Sequence, residues 1–253
     1  MSFFELLELA VGINMAGFLV AYWRRSDKLT DFSYGATFFV IALIAFLKGP
    51  FNSISKLMLA MITLWALRLA SFLVIRILKI RRDKRFDGVR ESFWKFGRFW
   101  LAQGMTAWII MIPAIYLLRQ PPAAFRILSF VGLAVWLLGL VIETTADYQK
   151  FSFNQKPANK GQWIEQGLWA YSRHPNYLGE ILVWAGIYIF VFPALGSTQR
   201  LTALVSPLFI TFLLLFVSGV PKLEKYADAK WGSDSKYQAY KKHVSVLVPK
   251  INT

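Results

Sequence analysis

Seven apolar runs leave this chain few folds, because each is close to the ~20 residues that an α-helix needs to cross a ~30 Å hydrocarbon layer. They fall at 3–23, 32–47, 54–80, 99–118, 127–147, 178–196 and 200–220. In lipid a spanning backbone must satisfy its own N–H and C=O groups. The runs therefore predict an all-α, polytopic integral membrane bundle of seven transmembrane helices, a single domain over residues 1–253. The second run is short and has to borrow flanking residues. A hydrophobic share of 56% agrees, since soluble domains sit at about 45–50%. The first run contains Glu5 and Glu8, with no basic stretch before it and no small-residue cleavage pattern. It reads as a span and not as a removed signal peptide.

A formal net charge of +15 raises the question of nucleic acid, and the distribution of the cations answers it. Of 29 Lys and Arg, 22 fall in loops 24–31, 81–98 (with Lys79) and 148–177 and in the tail 221–253, whereas five occupy the alternate loops. That asymmetry places the N-terminus outside and the C-terminus in the cytoplasm. It explains the basicity without nucleic acid, because basic cytoplasmic segments face an anionic leaflet and suit phosphates. The absence of cysteine excludes disulfides and thiolate metal sites. No internal repeat of the transporter kind is present. The tail predicts a short helix, a turn at Gly232-Ser233-Asp234, a second helix and a strand-like end at Pro249, lying on the membrane surface or capping the loops.

Charges inside spans are costly and mark candidate sites. Arg68 and Arg76 lie on the third span, ~12 Å apart at 1.5 Å per residue. Glu143 and Asp147 share one face of the fifth span at i and i+4. Glu180 opens the sixth, Asp31 and Tyr34 open the second, and Gln103 lies early in the fourth. Five spans thus direct polar groups to the cytoplasmic half. The plainer alternative is interfacial anchoring with ordinary salt bridges, such as Arg76 to Glu143. Asn14 reads as a helix–helix hydrogen bond, and Glu5 with Glu8 as outer-interface residues. Two histidines and scattered carboxylates give no metal-ligand spacing, and dinucleotide-loop, phosphate-loop and nucleophile motifs are absent. The densest stretch is AYSRHPNYLGEILVWAG, from Ala170 to Gly186, where a cation, an imidazole, an amide and a carboxylate precede or open an apolar run.

That stretch, in GLWAYSRHPNYLGEILVWAG (167–186) after ETTADYQKFSFN (143–154), resembles the steroid 5α-reductase superfamily and is most similar to its bacterial membrane-protein branch. LWALRLASFLVIR (64–76), LAQG (101–104) and SGVPKLEKYADAKWG with YQAYKK extend the resemblance over most of the chain from about residue 60. It implies a seven-span enzyme that binds NADPH on the cytoplasmic side and reduces a carbon–carbon double bond conjugated to a ketone. By the same resemblance Glu143 and Asp147 contact the cofactor, and Asn176 and Glu180 match the family's Asn and Glu, the Glu holding the nicotinamide carboxamide. Arg68 matches a cofactor-touching Arg, Arg76 is a second phosphate ligand, and Arg173, His174 and Tyr177 belong to the same motif, Arg173 being expected on the phosphates with Arg68 and Arg76.

One departure concerns the proton. The steroid reductases carry a Tyr three residues before the third-span Arg, where this chain has Trp65, whose indole N–H supplies no proton. Asp31 with Tyr34 forms an alternative acid pair, and the substrate is either a 3-oxo-Δ4 steroid or another enone lipid entering from the bilayer. No obligate protein partner is indicated, and the branch resembled implies a bacterial inner membrane. RHPNYLG, with Glu224, Tyr237, Tyr240 and Pro249, is also similar to membrane methyltransferases of the isoprenylcysteine and phospholipid type, which bind S-adenosylmethionine. Arg68 and Arg76 favour the dinucleotide, because a sulfonium cofactor brings no phosphates to bind.

Overall fold

The computed structural model describes residues 2–80 and 86–249. Residues 81–85 of the predicted basic loop and residues 250–253 of the predicted tail lie outside the described residues. The described chain is helical, with one isolated parallel β-bridge between Ser172 and Ser245. Its helices are α1 (Phe3–Trp23), α2 (Lys28–Leu47), α3 (Ser53–Ile80), α4 (Phe93–Arg119), α5 (Ile127–Gln155), α6 (Pro175–Val191), α7 (Ser197–Phe212), α8 (Val220–Trp231) and α9 (Ser235–His243). Among the described residues, seven helices are long and apolar enough to cross a membrane, in the order the apolar runs predicted. Helix α2 starts at Lys28 and so gains the length its run lacked, while α4 starts earlier and α5 ends later than predicted. Apolar runs mark only the hydrocarbon-facing part of a helix, and hydrogen bonding continues through the polar turns beyond it.

The described chain divides into two compact units. The first comprises residues 1–126 with 191–206. Within it α1 packs on α2 and α4, and α2 on α3 and α4. Helix α1 opens with a capping box: Ser2 Oγ accepts from the Glu5 N–H at 3.0 Å, and the Ser2 N–H donates to Glu5 Oε2 at 2.8 Å. Glu5 is therefore a capping residue. Asn14 is fully buried and donates to Thr37 Oγ1 of α2 at 2.9 Å, while Gln103 of α4 donates to Asn14 Oδ1 at 2.8 Å and to the Thr30 carbonyl at 3.1 Å. The predicted helix–helix role of Asn14 holds, and Gln103 serves the same three-helix network. A buried ion pair closes one end of this unit, with Arg90 Nη1 2.8 Å from Asp27 Oδ1. Phe18, Phe86, Phe96 and Trp100 form an aromatic core cluster in the same unit.

The second unit comprises residues 127–190 with 207–253. Its spine is an antiparallel pair of helices meeting glycine to glycine, with Gly132 and Gly139 on α5 and Gly179 and Gly186 on α6. A Cβ on Gly132 would lie 2.2 Å from the Phe190 nitrogen, and one on Gly186 would lie 2.4 Å from the Trp136 nitrogen. Small residues of this kind let helix backbones approach closely where lipid gives no hydrophobic drive to association. Helix α7 carries Pro207 and passes into a π-turn at Leu213–Val217, after which Gly219 turns the chain into α8. Asp234 caps α9 by accepting the Lys236 N–H at 2.8 Å. The predicted helix, turn and second helix of the tail are present, whereas the strand-like end is reduced, among the described residues, to the single Ser245 bridge followed by bends. The tail also caps a loop: the Arg173 N–H donates to the Ser245 carbonyl at 2.9 Å, and Tyr240 Oη to the Trp169 carbonyl at 2.8 Å.

Candidate functional site

The predicted site residues fall into two groups, one in each unit. In the second unit the α5–α6 seam sets the geometry. A Cβ on Gly179 would lie 2.5 Å from the Glu143 nitrogen, so the start of α6 runs directly against the turn of α5 that carries Glu143 and Asp147. Both carboxylates are buried. Asn176, in the first turn of α6, donates to Asp147 Oδ1 at 3.2 Å, and its own Oδ1 is buried with no protein partner. Glu180 follows one turn later on α6, half-buried. Pro175 supplies the first helical position, where the missing N–H costs nothing.

Just before α6, Arg173 and His174 are held by Glu224 of α8. Arg173 Nη1 lies 3.2 Å from Glu224 Oε2, and His174 Nε2 lies 2.8 Å from Glu224 Oε1. Lys241 joins from α9, 3.5 Å from Glu224 and 2.6 Å from Asp228. The Tyr177 ring stacks on His174 with centroids 5.5 Å apart. Arg173 Nε and His174 Nδ1 remain buried without protein partners. Glu224 is the residue that sequence reasoning undervalued, noting it only as part of a pattern shared with methyltransferases. Its signal was faint: one of two carboxylates, with Asp228, on a Lys-rich amphipathic helix.

Burial holds the His174 imidazole below its ordinary value, with the Glu224 hydrogen bond opposing. Burial likewise raises the Tyr240 phenol, which keeps it a hydrogen-bond donor. Because the folded state favours neutral His174, the unfolded chain binds more protons as pH falls through the ordinary value of 6.5. Stability is therefore full above that pH and declines below it. Melting curves at about pH 7.5 and 5.5 test this, the expected result being a larger acid-induced drop for the parent than for His174→Gln.

Beside this node lies a cavity of 470 Å³. Arg173 and His174 line it, with Lys150, Lys160 and Lys230 and a wall of aromatic rings including Trp163, Trp231 and Tyr237. The positive φ of Gly161, +86°, makes the turn that carries Lys160 into the lining, and the Trp231 indole donates to the Gly161 carbonyl.

The first unit holds the other predicted residues. Arg76 Nη2 lies 2.9 Å from Asp31 Oδ2, an ordinary ion pair of the kind weighed against a site, with Asp31 as the partner. Arg68 sits over the Phe72 ring at 5.7 Å. Tyr34 packs edge-on against Phe38 with centroids 5.0 Å apart, and Phe38 against the fully buried Trp65 at 4.9 Å. Among the described residues no group of three His, Cys, Asp or Glu is placed to hold a metal.

A chain with seven membrane-length apolar helices among its described residues, and polar residues gathered at helix ends, is the class that this fold and these groups define. Within that class the chain belongs to the DUF1295 family, described as a protein of unknown function, whose model matches residues 17–244. No solved structure matches the chain.

Proposed function

We propose that the chain is an NADPH-dependent membrane reductase of a carbon–carbon double bond conjugated to a ketone in a steroid or another lipid. The carrying observation is the Asn176–Asp147 contact, locked by the glycine seam beside buried Glu143. Fixed carboxylates and an amide suit the ribose hydroxyls and carboxamide of a dinucleotide, and the unpartnered Asn176 Oδ1 suits a carboxamide N–H. The resemblance of residues 143–186 to the steroid 5α-reductase superfamily supports the same reading.

When bound, NADPH supplies a hydride to the β-carbon of the conjugated double bond. In this reading Glu180 and Asn176 would orient the nicotinamide, and Glu143 and Asp147 would accept from its ribose. In the first unit Asp31 is engaged by Arg76, which leaves Tyr34 as the hydroxyl of the expected acid pair. The substrate enters laterally from the bilayer.

One observation favours the methyltransferase reading, with S-adenosylmethionine as cofactor. Glu224 offsets the charge of Arg173, and Asp31 that of Arg76, so two of the three arginines expected on phosphates already face carboxylates.

Titration of the detergent-purified chain with NADPH and, separately, S-adenosylmethionine decides between the two, followed by tryptophan fluorescence. Saturable quenching by NADPH alone is expected. Glu180→Gln and Arg173→Ala should each weaken NADPH by about tenfold or more, the usual weight of a charged hydrogen bond, and Trp65→Tyr should leave it unchanged. Parent-like NADPH affinity in both of the first two variants removes Glu180 and Arg173 from the cofactor site.

A further inference from the structure

If Arg173 is occupied by Glu224, the phosphates of a dinucleotide require other cations, and the cavity beside Arg173 has them. Its described lining carries Lys150, Lys160, Lys230 and Arg173 and no Asp or Glu. The nearby carboxylates are turned to other groups: Glu224 to Arg173, His174 and Lys241, Asp228 to Lys241, and Glu165 to the Trp163 indole, which donates to it at 3.1 Å. The cavity is therefore electropositive, and the buried, unpartnered Arg173 Nε and His174 Nδ1 belong to residues of its wall.

The rings indicate what accompanies the anion. Trp163, Trp231 and Tyr237 form a mutual cluster, with centroid distances of 5.3 Å for Trp163–Tyr237 and 5.9 Å for Trp231–Tyr237. Such a wall accepts a planar heterocycle. At 470 Å³ the cavity lies in the ~300–1,000 Å³ range of small-molecule sites. A cationic sulfonium ligand matches the rings and opposes the lysines, whereas a phosphorylated nucleoside matches both. Asn176, Tyr177 and Glu180 are outside the lining. The segment 173–180 thus runs from the cavity at one end to the residues assigned to the nicotinamide at the other.

We propose that this cavity receives the adenosine 2′-phosphate end of the cofactor, with the base against Trp163, Trp231 and Tyr237. Lys160 and Lys230 contact the 2′-phosphate and set the preference for NADPH over NADH. This rests on the reductase reading above. Lys230 now lies 4.4 Å over the Trp231 ring, within one side-chain rotation of a ligand stacked there. Both lysines are exposed at the rim, so their replacement leaves the fold intact.

The test uses the full chain in detergent, titrated with NADPH, NADH, adenosine 2′,5′-bisphosphate and S-adenosylmethionine by calorimetry. The parent is expected to bind NADPH and adenosine 2′,5′-bisphosphate and to bind NADH more weakly. Lys160→Gln with Lys230→Gln should weaken NADPH and the bisphosphate by about tenfold or more and NADH by less than about twofold, since only the first two carry the 2′-phosphate. Parent-like NADPH affinity in the double variant, or equal losses for NADPH and NADH, overturns the cavity assignment and leaves the reductase reading standing. A parent that binds neither dinucleotide overturns both.

Discussion

Gly186→Leu and Gly132→Leu are expected to leave almost no monodisperse protein, and Gly186→Ala to lower the melting temperature sharply. At both positions the atoms that a new Cβ would meet are backbone: the Trp136 nitrogen at 2.4 Å for Gly186, and the Phe190 nitrogen at 2.2 Å for Gly132. A flexible side chain could turn aside from such a contact, but a helix backbone cannot. The α5–α6 pair must instead separate along its length. Overpacking a tight interface costs about 1–3 kcal/mol even where some relaxation is available, and a γ-branched side chain asks for far more room than one methyl. Small-residue contacts supply much of the association between membrane helices, so separation removes the attraction together with the fit. It would also move the Glu143 turn from the start of α6 and release the Asp147–Asn176 contact. Size-exclusion profiles and thermal melts in detergent provide the readout. Gly12→Ala is the control, because nothing lies within 4 Å of a Cβ there. A Gly186→Leu protein that elutes and melts like the parent would show that the seam does not hold the pair.

The glycine seam also shows where a sequence is readable and where it is not. Gly132 with Gly139 and Gly179 with Gly186 both repeat at seven residues, a spacing that keeps them on one helix face. The pattern is visible in the chain, but nothing local says which two helices share it. Apolar periodicity and turn chemistry are local, so the seven spans, the Gly232 turn and the helical tail could be read directly. The role of Asn14 was equally legible, because an amide inside a span has to find a partner on another helix. Its partners Thr37 and Gln103 were not, since both are set by tertiary packing. The candidate site divides in the same way. A resemblance spanning 143–186 singled out the α5 and α6 residues, whereas Lys150, Lys160 and Lys230 looked like three more cations in basic segments. Only folding brings them into one lining, and only folding shows Glu224 taking up the charge of Arg173.

Arg90→Met should be the most destabilising single change in the first unit outside its apolar core. Arg90 was one cation among many in a basic loop, yet its side chain is only 7% exposed, and that of Asp27 is 3% exposed. The guanidinium is fully engaged: Nη1 with Asp27 at 2.8 Å, Nε with the Phe86 carbonyl at 3.3 Å, and Nη2 with Asp87. Removing one member of a buried pair costs about 3–5 kcal/mol, because the remaining charge has lost both water and its counter-ion. Arg90→Met takes that counter-charge away from Asp27. Asp27→Leu should cost less, since the half-exposed Asp87 still faces Arg90. Arg90→Lys should fall between them, because a single ammonium cannot reproduce a fork that meets three acceptors. The double variant Asp27→Leu with Arg90→Met removes both charges together and should recover much of the loss, as apolar replacement of buried pairs often does. Melting temperatures of the parent, Arg90→Met, Asp27→Leu and the double variant in one detergent form a double-mutant cycle, in which the double variant is expected to lose less than the sum of the two single losses. Losses that simply add would mean that the two side chains act separately, and that the charge of Arg90 is balanced chiefly by Asp87.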